Sequence, residues 1–196
     1  MNYKAAEDYI LARLRNELDP NLTYHSVSHT LDVLDSAVRL ATMEGLSEEE
    51  LLMLKTACLY HDSGMLRTYR GHEEASADIC KETLPGFGYS AMHIEVITNM
   101  ILTTKLPQCA MSLLDKILCD ADLDYLGRPD CFMIAHRLKY EWEVLGINKM
   151  SLFDWYQIQK DFLTNHRYFT GSAIKLRQSG KLENLSQVEV ILNHEK

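Results

Sequence analysis

The sequence predicts an all-α protein organised as a single domain. Nearly every long segment spaces its apolar residues three and four apart, as one face of a helix requires, and none alternates as a half-buried strand does. Turn-forming residues separate these segments, as at Asp19-Pro20-Asn21 and Pro85-Gly86-Phe87-Gly88. Hydrophobic residues make up 46% of the 196 positions, enough for a sizeable core in a chain of one-domain length.

The first helix runs through Tyr9, Ile10, Arg13, Leu14 and Leu18, and ends at Asp19-Pro20-Asn21. The second starts near Tyr24-His25-Ser26, carries Val27, Leu31, Leu34, Val38 and Leu40, and ends at Gly45. Ser47 and Glu50 form a capping-box pair, so a third helix is expected over 48–61, with Leu51, Leu54, Ala57 and Cys58 as its core stripe. A polar loop from Ser63 to Gly71 leads into a short helix over 72–83. Helices are then expected over 91–103, 111–118, 131–145 and 152–163, the last with Leu152, Trp155, Tyr156, Gln159 and Phe162 on one side. A more polar helical tail starts at Thr170. Repeats, low-complexity segments and a convincing linker are absent from the sequence.

The formal net charge of −8 disfavours stable nucleic-acid binding, which depends on neutralising phosphates. A small phosphorylated ligand needs only a metal and a few local cations. No run approaches the roughly 18–20 apolar residues of a membrane span, and the acidic start lacks a signal-peptide core. The expected location is therefore cytoplasmic. The five cysteines are scattered without Cys-x-x-Cys spacing, which argues against a disulfide framework and a thiolate zinc site. Oligomeric state is left open, with a homodimer as the assembly considered.

Chemistry concentrates at three places. His25 and His29 lie four apart at a helix start, on one expected face. His61-Asp62 ends an apolar helix, where burying adjacent ionisable groups is costly unless they are paired or bind a metal. Asp120-Ala121-Asp122-Leu123-Asp124 brings together three carboxylates that repel unless something positive sits among them. Imidazole and carboxylate ligands suit Mn, Fe, Co, Ni, Zn or Mg.

The ordered set His29, His61-Asp62, Asp122 resembles the HD-domain superfamily of metal-dependent phosphohydrolases, over roughly residues 22–128. Residues 129–196 form a helical extension to that HD-domain bundle. Tyr24-His25-x-x-x-His29 resembles the ligand helix of the cyclic-nucleotide phosphodiesterase branch. His72-Glu73-x-x-Ser76-Ala77, Ile97-x-x-Met100-Ile101-x-x-Thr103 and Asp120-Ala121-Asp122-Leu123-x-x-Leu126-Gly127 are similar to bacterial HD hydrolases. The resemblance implies His29, His61, Asp62 and Asp122 as metal ligands, with Asp120 competing for the last place. It implies hydrolysis of a phosphomonoester or phosphodiester, of a nucleotide or other small phosphorylated metabolite, by metal-activated water. Asp62 would also orient that water, and His25 would be the proton donor. His72 would contact metal or substrate; one ion is expected, and a second depends on His72. Glu73 would hold a water or a ligand's amine. Arg67, Arg70, Lys105 and Arg128 are the expected phosphate contacts. His93, His136, His166 and His194 are expected outside the site, and Trp142, Trp155 and Tyr156 in the core. Two further functions are weighed: a metal-binding signalling module without turnover, and a di-iron HD-fold oxygenase needing both His72 and His93 as ligands.

Overall fold

Helix boundaries follow local chemistry. In the computed structural model, which describes residues 1–194, Ser47 Oγ accepts from the Glu50 amide while Glu50 closes back on the Ser47 amide 2.9 Å away. That capping box starts α3 (Glu48–Tyr60). Ser26 caps α2 (Val27–Glu44), which ends on Gly45 in the left-handed conformation that glycine adopts without a Cβ penalty. Before these comes α1 (Tyr3–Glu17); after them come α4 (His72–Thr83), α5 (Ala91–Thr103), α6 (Leu113–Asp122), α7 (Cys131–Val144), α8 (Leu152–Asn165) and α9 (Gly171–His194). Short 3-10 turns at Ser63–Leu66, Leu84–Phe87 and Asp124–Gly127 bridge them. Among the described residues there is no strand, and no helix is long and apolar enough to cross a membrane.

Helix α3 is the central member. It packs against α1, α2 and α5, and buries Leu54, Ala57, Cys58, Leu59 and Tyr60 almost completely. Each buried leucine contributes about 1.5–3 kcal/mol. Burial of its last turn delivers the residues that follow, His61 and Asp62, into the interior. A second apolar cluster, including Leu126, Leu163 and Val188, joins α8 and α9 to the turn after α6.

Two expected boundaries are corrected. Helix α6 extends to Asp122 rather than stopping at Leu118, because Leu114, Ile117, Leu118 and Ala121 keep its buried face continuous. His25 lies before the Ser26 cap, outside α2, so it does not share a helix face with His29. The entry segment nevertheless folds back, and the two rings stand 6.4 Å apart.

Candidate metal centre and its cavity

Four residues from three chain segments converge at the buried end of α3. His29 comes from the first turn of α2, His61 and Asp62 from the end of α3, and Asp122 from the last residue of α6. His29 Nε2 lies 3.1 Å from Asp122 Oδ1 and 3.3 Å from His61 Nε2. Asp62 Oδ2 lies 3.2 Å from His61 Nε2 and 3.4 Å from His29 Nε2. Ligands about 2.1 Å from a common ion stand about 3.0–3.4 Å apart in octahedral or tetrahedral geometry, so the spacing suits a metal.

The donors are also correctly prepared. A carbonyl can only accept, so the 2.8 Å bond between His61 Nδ1 and the Cys58 carbonyl fixes the proton on Nδ1. The Nε2 lone pair then faces Asp62. Asp62 Oδ2 is buried without a hydrogen-bond partner, a costly state for a carboxylate oxygen unless a cation sits beside it. Burial alone would keep His61 neutral, but Asp62 and Asp122 push its imidazole well above the usual histidine range. Burial likewise opposes ionisation of Asp122, yet His29 and His61 hold its carboxyl at about 2. The centre therefore favours positive charge, and the residues fit a divalent ion.

The three clustered carboxylates separate into three environments. Asp122 enters the centre. Asp120, the competing ligand, is fully buried and accepts from the Phe169 and Thr170 amides at 2.8 Å and from Thr170 Oγ1 at 2.7 Å. It anchors the start of α9. Asp124 pairs with Arg177 and Arg39.

A second cluster adjoins the first. His25, Asp62 and His72 each offer a ligand atom within 4.8 Å of the others. His72 Nδ1 donates to the Tyr69 carbonyl at 3.0 Å, leaving Nε2 facing Asp62 Oδ1 at 3.4 Å. Burial opposes protonation of His72, but Asp62 raises its pKa. Glu73, from the first turn of α4, is buried with no hydrogen bond among the described residues; His72 Nδ1 is 3.7 Å away.

Glu141 was not identified as a functional candidate from the sequence. Its buried carboxylate accepts from the Tyr24 and His25 amides at 2.8 and 3.0 Å, from Tyr69 Oη at 2.9 Å and from His25 Nδ1 at 2.5 Å. Burial would raise its pKa, but His25 holds it below the usual range. The bond fixes the His25 ring. Glu141 falls among Leu138, Trp142 and Leu145 on the apolar stripe of α7, and a carboxylate in that register was the available signal.

Both clusters open into a cavity of about 450 Å³. Arg70, Lys105 and Glu73 line it, and Lys105 also pairs with Glu74. Arg67 and Arg128, expected as phosphate contacts, do not line this cavity. Arg67 bonds Glu82 at 2.5 Å, while Arg128 pairs with Asp32 and Asp130 at 2.7 and 2.8 Å; local carboxylates satisfy both guanidiniums. His93 caps α5 and contacts Glu49 Oε1 at 3.0 Å, outside the centre. His136 Nδ1 donates to the Phe132 carbonyl at 2.6 Å. His166 is buried beside Lys181. The side chain of His194 lies outside the described residues. Tyr156 packs with the second apolar cluster and Trp155 is fully buried, both as expected, while Trp155 and the half-buried Trp142 also line the cavity.

Residues 19–98 match the HD-CE family model. The crystal structure of a predicted HD superfamily hydrolase from an uncultured Thermotogales bacterium superposes with a TM-score of 0.62. It is 21% identical, and the match covers 98% of this chain and 92% of that one; the likeness is one of fold. None of the curated proteins matches the sequence.

Proposed function

Taking the chain as an HD-domain protein, on the family match over residues 19–98 and the shared fold, we propose that it is a metal-dependent hydrolase of small phosphate esters. The observation that carries this reading is Asp62 Oδ2, a buried carboxylate oxygen without a hydrogen-bond partner that stands 3.2 Å from His61 Nε2 and 3.4 Å from His29 Nε2, beside the His29, His61 and Asp122 donor group. That set opens into a cavity holding Arg70 and Lys105. A divalent ion at the centre supplies Lewis acidity, acidifying water and neutralising phosphoryl charge.

The chain's own groups supply the rest. His29, His61, Asp62 and Asp122 hold the ion. Arg70 and Lys105 orient the phosphate by charge-assisted hydrogen bonds. His25, whose ring Glu141 holds through Nδ1, delivers a proton from Nε2 to the leaving oxygen. Glu73 offers a carboxylate to position the attacking water.

Asp62 favours a second reading with two ions, because it presents Oδ2 to the first cluster and Oδ1 to His72. His25 Nε2 would then be a ligand instead of a proton donor. The oxygenase requirement for His72 together with His93 is not met by this geometry, since His93 binds Glu49.

The test is phosphate release from a panel of monoesters and diesters after chelation and reloading with Mn, Fe, Co, Ni, Zn or Mg. Metal-dependent release is expected, falling at least about a hundredfold in Asp62→Ala. Metal bound in full stoichiometry with no ester turned over would instead identify a silent binding module. Metal content per chain separates one ion from two.

A further inference from the structure

Helix α7 carries apolar residues on two sides. The inner side, with Cys131, Ala135, Leu138 and Trp142, faces the fold and the cavity wall. The outer side carries Met133, Arg137, Tyr140 and Val144 at alternating spacings of four and three, the repeat of a helix–helix seam. Met133 and Tyr140 are each 56% exposed and Val144 is 42% exposed. A surface helix normally turns its apolar residues to the core alone and polar residues to water.

Three open hollows run along this outer side and share residues. Met133 and Arg137 line both the first and the second, and Tyr140 lines both the second and the third. They form one trough, from Asp32 and Asp35 on α2 to Lys149 beyond the end of α7. About twenty residues line it, as many as one side of a standard interface of about 800 Å² per partner. Exposed apolar residues on a monomer are ordinarily scattered singly. Charge is graded along the trough. At the α2 end Asp32, Asp35 and Asp130 outnumber Arg128, which pairs with Asp32 and Asp130. At the far end Lys149 dominates, because Lys139 neutralises Glu143. Asp35, Arg137 and Lys149 are exposed and form no ion pair among the described residues.

We infer that this trough is the interface of an isologous homodimer, in which α7 packs antiparallel on α7 of a second copy. A two-fold axis makes every contact occur twice, so the patch must complement itself. With the axis between Leu138 and Lys139 in register, Arg137 meets the partner's Tyr140, and Met133 meets the partner's Val144. An arginine over a tyrosine ring is a cation–π contact, and methionine fills an irregular apolar gap. The same reversal lays the acidic end of one copy on the partner's Lys149. The occupant must therefore carry the same charge gradient in the opposite direction, which a second copy turned end for end does. A nucleic acid or an anionic lipid surface would bring further negative charge to the acidic end. The inference is independent of the hydrolase reading.

Sedimentation equilibrium on the full chain, from low micromolar to about 100 µM, measures the association. A dimer is expected within that range. Met133→Asp and Tyr140→Asp replace exposed side chains, so far-UV circular dichroism should stay helical while the dimer weakens at least about tenfold in each. Ile174→Asp, at a 46% exposed apolar position of α9 outside the trough, should leave the dimer intact. Asp35→Lys and Lys149→Glu should each weaken self-association by placing like charges at both ends of the seam. Mixing the two variants should restore a dimer, because both ends of the mixed pair again join opposite charges. A wild-type chain that stays monomeric throughout the range overturns the inference and leaves the trough to a different protein. A dimer that Met133→Asp and Tyr140→Asp leave at full strength overturns it by placing the interface elsewhere. Mixed charge variants that do not recover association overturn the end-for-end arrangement.

Discussion

Asp120 and Asp122 are two residues apart and chemically identical, yet their surroundings differ completely. Asp120 receives three hydrogen bonds from residues 169 and 170, and Asp122 faces two imidazoles. Asp120→Asn should therefore lower stability by about 2–3 kcal/mol, because its amide opposes at least one backbone donor, while full metal stoichiometry remains at low temperature. Asp122→Asn should lose metal while leaving the Asp120 anchor of α9 in place. Thermal melts with metal analysis on both variants check the pair; an exchange of phenotypes would reassign the ligand. The sequence showed that the three carboxylates need positive partners. It did not show which partner each one meets, because those partners lie up to 93 residues away in the chain, as with His29 and Asp122.

At the scale of elements, the turn after α3 holds the site together through Gly64. A Cβ there would lie 1.9 Å from the His72 carbonyl oxygen and 2.7 Å from the Ser76 amide nitrogen. Both are backbone atoms of α4, the helix whose first turn carries His72 and Glu73. Gly64→Ala must push that helix away, so a stability loss of roughly 1–3 kcal/mol is expected, with weaker metal retention in the folded fraction; calorimetry and metal analysis measure the two. At the end of α8, burial and then Lys181 lower the His166 pKa from 6.5 to about 4. The folded value is depressed, so the unfolded chain binds the proton first as pH falls. Stability is consequently lost between pH 6.5 and about 4, to an extent of about 2–3 kcal/mol. Urea midpoints at about pH 7.5 and about pH 4.5 should differ less in His166→Gln than in the wild type, and an equal difference would refute the assignment. Helix existence was legible from apolar spacing and caps, including the bounds of α4 and α5. The extension of α6 was not, because its last turn mixes acidic residues with the apolar ones that bury it.

For the molecule as a whole, ion binding and folding are linked. The donor set is drawn from α2, α3 and α6, which pack on one another, so an ion bound to the native state stabilises all three together. At a free metal concentration about a hundred times Kd the gain is about 2.7 kcal/mol, equivalent to about 5–10 °C in melting temperature for a chain of this size. Chelation should remove that increment in wild type and remove nothing in Asp62→Ala; scanning calorimetry with and without chelator decides. The C-terminal helices complete the site, α7 through Glu141 and Trp142 and α8 through Trp155 and Gln159. Their aromatic residues read as core from periodicity alone, since a helix stripe looks the same whether it faces another helix or a cavity.

The all-helical class and the order His29, His61-Asp62, Asp122 were available in the amino-acid string, because helix periodicity and short motifs are local properties. The convergence of those residues at 3.1–3.6 Å, the separate burial of Asp120, the diversion of Arg67 and Arg128 to nearby carboxylates and the role of Glu141 beneath His25 came only from tertiary packing. A hydrogen bond or ion pair is decided by distance in space, and these partners are as far apart in the chain as 116 residues for Glu141 and His25.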